Sequence, residues 1–330
     1  MQRLVRLLIV VLLGLVVGVA AYVGSLILTN PGPRDAIGWT LLAPLPSARG
    51  ETAAAVSQGR LYVVGGMTGL AGQATAEVSV YDPASNTWET APDLPAARHH
   101  AGAAALDRTL FVAGGGPTAE DWTPQPMLWS LPAGAEAWQE LAPMPEGRLG
   151  HRMVAVDGRL FVIGGVGSTG KVLIYDPATD AWTAGAPMAV PRDHLAAVAV
   201  DSEIWAIGGR SGGQIHSRVD VYDTTTDAWR EGPPLPQPTS GASEGVVGGV
   251  ILVSGGENPG GAGGVVDRHW LLDTAAGAIA AWQPLSPPPL PVHGAHGAVI
   301  DGSFVIVGGA SRQGAYSRLS WSAFAQAYRP

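Results

Sequence analysis

A short hydrophobic run closed by two glycines returns along the chain, and this recurrence limits the possible folds more than any other feature. The first copies are Leu61-Tyr62-Val63-Val64-Gly65-Gly66 and Leu110-Phe111-Val112-Ala113-Gly114-Gly115. Leu160-Phe161-Val162-Ile163-Gly164-Gly165 and Ile204-Trp205-Ala206-Ile207-Gly208-Gly209 follow. Ile251-Leu252-Val253-Ser254-Gly255-Gly256 and Phe304-Val305-Ile306-Val307-Gly308-Gly309 complete the series. Successive doublets lie roughly 44 to 53 residues apart, the spacing of radial repeats rather than of separate domains. Repeats that share one closed ring make one domain, whatever the chain length suggests.

Each repeat carries more than its doublet. Upstream lies a Pro-rich stretch ending in Arg, as in Pro44 to Arg49 and Leu94 to Arg98. Met144 to Arg148 and Ala189 to Arg192 repeat it. A small-residue strand follows, such as Thr52-Ala53-Ala54-Ala55-Val56, and then the doublet strand. A third strand ends in Tyr-Asp, at Tyr81-Asp82, Tyr175-Asp176 and Tyr222-Asp223. After a polar turn, a fourth strand bears Trp88, Trp182 or Trp229, with Trp138 and Trp282 in the more degenerate repeats. Small residues suit the crowded centre of a ring. Glycines allow close backbone approach or positive φ, and Trp and Tyr fill the wedge between neighbouring units.

The doublet after a hydrophobic run, Tyr-Asp-Pro before a turn and Trp a few residues on resemble the kelch family. Tyr81-Asp82-Pro83-Ala84-Ser85-Asn86-Thr87-Trp88 and Tyr175-Asp176-Pro177-Ala178-Thr179-Asp180-Ala181-Trp182 match that pattern closely. The resemblance implies an all-β, six-bladed kelch-type β-propeller with four-stranded antiparallel blades over residues 37–330. Only one strand, around residues 315–322, is expected after the last doublet. The segment Ile37-Gly38-Trp39-Thr40-Leu41 is therefore expected to close the sixth blade as its outer strand and hide an open edge.

From Leu7 to Thr29 no residue is charged, a length that spans a bilayer as a helix. Arg3 and Arg6 precede it, so the positive-inside rule sends the remainder across the membrane. Residues 1–29 are expected to form a single-pass anchor, or a signal segment if cleaved near Ala20. Residues 30–36 form a linker, and the body is extracytoplasmic. The full chain has 19 basic and 27 acidic residues; without Arg3 and Arg6 the balance is −10. Such a body is a poor partner for nucleic acid, whose affinity comes mainly from Lys and Arg on phosphates. Cysteine is absent, which excludes disulfides, thiolate catalysis and thiolate metal sites.

Strand alternation puts the inter-blade loops and the second-to-third-strand loops on one face. That face carries the long loops 67–75, 117–126, 210–217 and 257–268. It also collects Arg49, Arg98, Arg148 and Arg192, each in the same place of its repeat. His99 and His100 follow Arg98, His151 follows Arg148, and Asp193 and His194 follow Arg192. Glu51, Glu244, His293 and His296 fall nearby in the repeat frame. Together these side chains are expected to ring the channel mouth. A positive, titratable mouth suits an anionic ligand or a carboxylated sugar. Equally, Arg and His here serve as repeat groups bonding loop carbonyls. No local histidine spacing points to a metal, and no cofactor is implied.

Blade number and compartment are similar to those of the sialic acid mutarotases, exported kelch proteins. An enzyme of that kind needs an acid and a base about the anomeric centre. Copper-radical sugar oxidases share the fold, but their Tyr–Cys crosslink is excluded here. The sequence thus favours a membrane-anchored module binding a ligand or protein through its long-loop face. The alternatives are a carbohydrate-active enzyme such as a sialic acid mutarotase and a structural exported domain.

Overall fold

The structure is a computed structural model that describes residue 16 and residues 32–258, 264–312 and 320–330. The apolar segment 7–29 lies outside the described residues, apart from residue 16. The chain divides into two compact units, Met1–Gly32 and Pro33–Pro330, and the second is described below.

Among the described residues, alternation of apolar and small residues builds six four-stranded antiparallel sheets. In the first, Ala53–Ser57, Arg60–Val64, Val78–Asp82 and Thr87–Thr90 pair in chain order. Its second strand buries Leu61, Val63 and Val64. Four more sheets repeat this plan, starting at Gly102, Arg152, Ala196 and Ser243. In the sheet starting at Arg152 the first two strands are joined by the tight turn Asp157-Gly158, with φ of 46° and 74°. Such a turn needs two left-handed residues and matches the twist of the flanking strands.

The first strands line the centre and touch their neighbours in cyclic order, Gly297–Ile300 returning to Ala53–Ser57. The doublets knit these neighbours together. Gly66, at φ 105°, donates its N–H to the Arg98 carbonyl of the next repeat at 2.8 Å. A Cβ there would lie 2.6 Å from the Gly50 carbonyl oxygen, so only glycine fits. The last doublet does the same to the first repeat, Gly309 N–H to Arg49 O at 2.9 Å.

The last sheet combines both ends of the unit. Trp39–Leu42 pairs with Ala325–Tyr328, which pairs with Ser303–Val307 and then Gly297–Ile300. The N-terminal strand therefore completes this sheet as expected. Its partner is not the expected segment near residues 315–322: Trp39 stands opposite Tyr328. Trp321 instead forms an isolated bridge to Ala310, beyond the Gly308-Gly309 doublet. The paired strand begins four residues later, with Ala325 and Gln326 buried.

Each repeated tryptophan packs and also bonds. Trp88, Trp138, Trp182, Trp229 and Trp282 donate their indole N–H to a carbonyl about 40 to 49 positions upstream, at 2.8–2.9 Å. Trp39 donates to Ser286 O at 2.9 Å, pinning the closing strand to the fifth sheet. Tyr81, Tyr175 and Tyr222 donate to Asn86, Asp180 and Asp227 in the following turns. These positions are packing groups.

Candidate functional site

The axis is closed by backbone alone. His100 N–H donates to Glu51 O, Gly150 to His100, His194 to Gly150, Gly241 to His194, Gly294 to Gly241, and Glu51 back to Gly294, at 2.5–3.0 Å. All the members are left-handed, with φ between 51° and 65°. They precede the first strands by two or three residues, which puts the ring on the long-loop side. Glycine takes this conformation freely; Glu and His adopt it at a cost of about 1–2 kcal/mol per residue. Three members carry side chains, and these converge: one ligating atom from each of Glu51, His100 and His194 lies within 4.8 Å of the others.

The surrounding groups come from two sources. The residues just before the ring pair with residues just after the doublets, as in His99 with Gly116, Asp193 with Arg210 and Ser240 with Glu257. This pairing brings Arg210 and Glu257 to the cluster. Arg210 donates to Asp193 at 2.8 Å, to Glu257 at 3.1 Å and to His194 Nε2 at 3.1 Å. The loop 117–126 supplies Trp122, 42% exposed, whose ring lies 5.3 Å from His99 and 4.8 Å from His100.

Hydrogen bonding fixes the protons. His99 Nε2–H donates to Thr118 O at 2.7 Å. Burial, then the neighbouring His100, lowers the His99 pKa to about 4, so the ring is neutral and its Nδ1 accepts from His100 Nδ1–H at 2.6 Å. His100 Nε2 meets Glu51 Oε2 at 2.9 Å. Burial alone would raise the Glu51 carboxyl, but the charge and hydrogen bond of His100 outweigh it and hold the group well below its ordinary value. Glu51 is thus a carboxylate, hydrogen-bonded to the His100 ring. His194 Nδ1–H donates to Asp193 at 2.5 Å, and its Nε2 accepts from Arg210. Burial lowers this ring to about 4, matching a neutral imidazole. His293 donates from Nε2 to Arg312 O, and its Nδ1 lies 3.7 Å from Glu51.

The expected arginines are elsewhere. Arg49, Arg148 and Arg192 are essentially fully buried. Arg49 bonds Glu77, Ser79 and Val63 O. Arg192 bonds Asp220 at 2.7 Å and Gly208 O. Arg148 bonds Glu146 and Lys171 O, and Arg98 lies over the Trp129 ring. These guanidinium groups satisfy strand carbonyls and carboxylates inside the sheets, so the mouth carries mixed charge rather than the expected positive field.

His151, Glu244 and His296 are also apart from the cluster. Arg152 reaches across the axis from the third sheet to Glu244 in the fifth, at 2.5 and 3.3 Å. Burial raises the Glu244 carboxyl against the pull of Arg152. This pair and His296 border an alanine-rich central cavity of about 320 Å³, lined by Ala55, Ala104, Ala155 and Ala199 among others. His151 lies against Gly102 and Gly114, with neither ring nitrogen bonded.

The sequence reading singled out neither Trp122, Arg210 and Glu257 nor the ring itself. A signal for the ring was present: Glu51, His100, Gly150 and His194 each stand two residues after an arginine. In a strand-like segment that offset returns to the same side, whereas the arginine heads turn inward to the sheet.

The profile of the KLHDC2/KLHL20/DRC7 Kelch-repeats domain matches residues 38–189 and 144–309. Kelch-like protein 35 of Mus musculus is 30% identical over 145 residues, 43% of this chain and 24% of that protein. Kelch-like protein 34 of Homo sapiens is 30% identical over 146 residues, 43% of this chain and 22% of that protein. The chain thus spans less than a quarter of the length of these relatives. Among solved structures, that of YjhT superposes with a TM-score of 0.72 at 17% identity, over 86% of this chain and 96% of the other, a likeness of fold.

Proposed function

This chain belongs to the kelch-repeat family, and from that premise we propose that it is a six-bladed propeller whose long-loop face binds a small polar ligand or a protein. The observation that carries the reading is the convergence of Glu51, His100 and His194 on one closed backbone ring, beside an exposed tryptophan. Most polar groups inside a fold are satisfied among themselves. Here Asp193 and Arg210 stay partly exposed around the cluster, with Glu257 buried beneath Arg210. Alternating carboxylate and guanidinium groups beside an indole face suit a carbohydrate or a polar peptide side chain better than a simple anion. We further infer that residues 1–29 anchor the chain and that the propeller is extracytoplasmic.

A thermal-shift screen of the full chain against sugars, acidic sugars and peptides tests the binding reading, because a ligand that binds only the folded state raises apparent stability. Trp122→Ala and Arg210→Ala should remove the shift. A shift that persists in both variants would locate binding elsewhere.

A second reading, a carbohydrate-active enzyme, is favoured by one observation. The His100 ring, bonded to the Glu51 carboxylate, and the neutral His194 have centroids 4.9 Å apart, two titratable groups within reach of one bound sugar, as acid–base chemistry at an anomeric centre needs. Anomer interconversion of N-acetylneuraminate, followed by NMR with the full chain, should be accelerated over buffer. An unchanged rate removes this reading for that sugar.

A further inference from the structure

We propose that Glu51, His100 and His194 form a binding site for a divalent transition-metal ion of the zinc class. Two imidazole nitrogens and one carboxylate are the donor set of zinc sites that keep an open position. Their ligating atoms already lie within 4.8 Å of one another. A tetrahedral ion with bonds near 2 Å holds its ligand atoms about 3.3–3.5 Å apart. Side-chain rotation of little over an ångström, on a backbone locked by the ring, completes the set.

The outer contacts carry the argument further. Metal-bound histidines donate their other N–H to a carboxylate, backbone carbonyl or water, which fixes the tautomer and the ring plane. His194 does so, and His100 is held in the same way by a neighbouring imidazole. His194 Nδ1–H is held by the Asp193 carboxylate, and His100 Nδ1–H by His99, which is itself held by Thr118 O. In each ring this leaves Nε2 as the atom offered inward.

Two groups now stand where the ion would bind. A proton lies between His100 Nε2 and Glu51 Oε2, and Arg210 Nη2 caps His194 Nε2. The ion replaces the first, and the displaced proton leaves to solvent. Arg210 is one-third exposed and keeps Asp193 and Glu257 as partners, so it can withdraw from His194. The fourth position takes water or a ligand oxygen.

The test is a titration of the untagged full chain, freed of metal with a chelator, with Zn²⁺ and with Co²⁺ as a spectroscopic probe. One equivalent should bind, and Co²⁺ should show visible d–d bands of a low-coordinate nitrogen and oxygen site. His100→Gly and His194→Gly should abolish the bands. Both retain the fold's requirement for a left-handed residue, since Gly150, Gly241 and Gly294 occupy equivalent places. Asp193→Asn should weaken affinity about 10- to 100-fold, while His216→Ala, whose ring bonds Ser211 and none of the three ligands, should leave it unchanged. No stoichiometric binding, or binding that survives both glycine variants, overturns the proposal. It shares residues with the proposed binding face, but the titration needs no organic ligand. A metal that binds without altering ligand-induced shifts would separate the two.

Discussion

His100 meets Glu51 twice: its backbone N–H donates to the Glu51 carbonyl at 2.9 Å, and its ring Nε2 meets the Glu51 carboxylate at 2.9 Å. The first contact belongs to the backbone ring and needs no side chain. The second depends wholly on residue identity. Architecture and chemistry are thus separable at the same position, and substitution can address them one at a time.

Backbone conformation should dominate at the ring. Gly241 has φ +63°, and the nearest atom to an added Cβ is 3.5 Å away. Gly241→Ala should still cost about 1–2 kcal/mol, from left-handed strain alone. His194→Val should destabilise by at least about 1 kcal/mol more than His194→Gly, because a β-branched residue tolerates this conformation worst. Urea denaturation of the full chain measures both.

Arg192→Met should cost about 3 kcal/mol or more. It removes a buried partner from Asp220 and leaves that carboxylate with Arg218 alone. A second change, Asp220→Leu, should recover part of the loss, since an apolar pair of similar volume avoids an uncompensated charge. Denaturation midpoints of the single and double variants decide it.

Acidification should weaken the fold above the range where carboxylates titrate. Burial, then Arg148 and Arg152, lowers His151 to about 3, and burial lowers His269 to about 4. An unfolded chain takes up these protons near pH 6.5, and the folded one does so only much lower. Their contribution is therefore complete above about pH 6.5 and falls as pH drops toward 4. Each contributes up to about 1.4 kcal/mol per pH unit within that window. His151→Met should flatten the stability–pH curve there by about one proton's slope.

Trp39→Ala should cost about 3 kcal/mol, at the low end for a tryptophan because the side chain is only half-buried. The indole bonds Ser286 O and lies 5.3 Å from the Tyr328 ring and 5.1 Å from that of His269. Loss of this wedge frees the closing strand, so the variant should also show faster proteolysis near residues 37–42.

The doublets, the Tyr-Asp turns and the tryptophans were legible because each repeats in sequence the contact it makes in space. The closing strand was legible too, since Trp39 otherwise has no sheet of its own. Its partner was misjudged by about ten residues because the segment after Gly309 lacks the Tyr-Asp signature. Gln326 replaces an arginine contact there, with its amide bonding both Leu290 N–H and Leu290 O. The arginines were misassigned for a different reason. Their spacing follows the repeat, but spacing does not tell which way a long side chain turns. The partners that turn Arg49 and Arg192 inward, Ser79 and Asp220, lie 30 and 28 residues away.

A linear stack of repeats frays from its two terminal members. The amides of Glu51, His100, Gly150, His194, Gly241 and Gly294 have no terminal member among them, since each hands its hydrogen to the next and the last returns to the first. Deuterium should reach all of them at one common, slow rate, set by collapse of the entire circle rather than by loosening of any single sector.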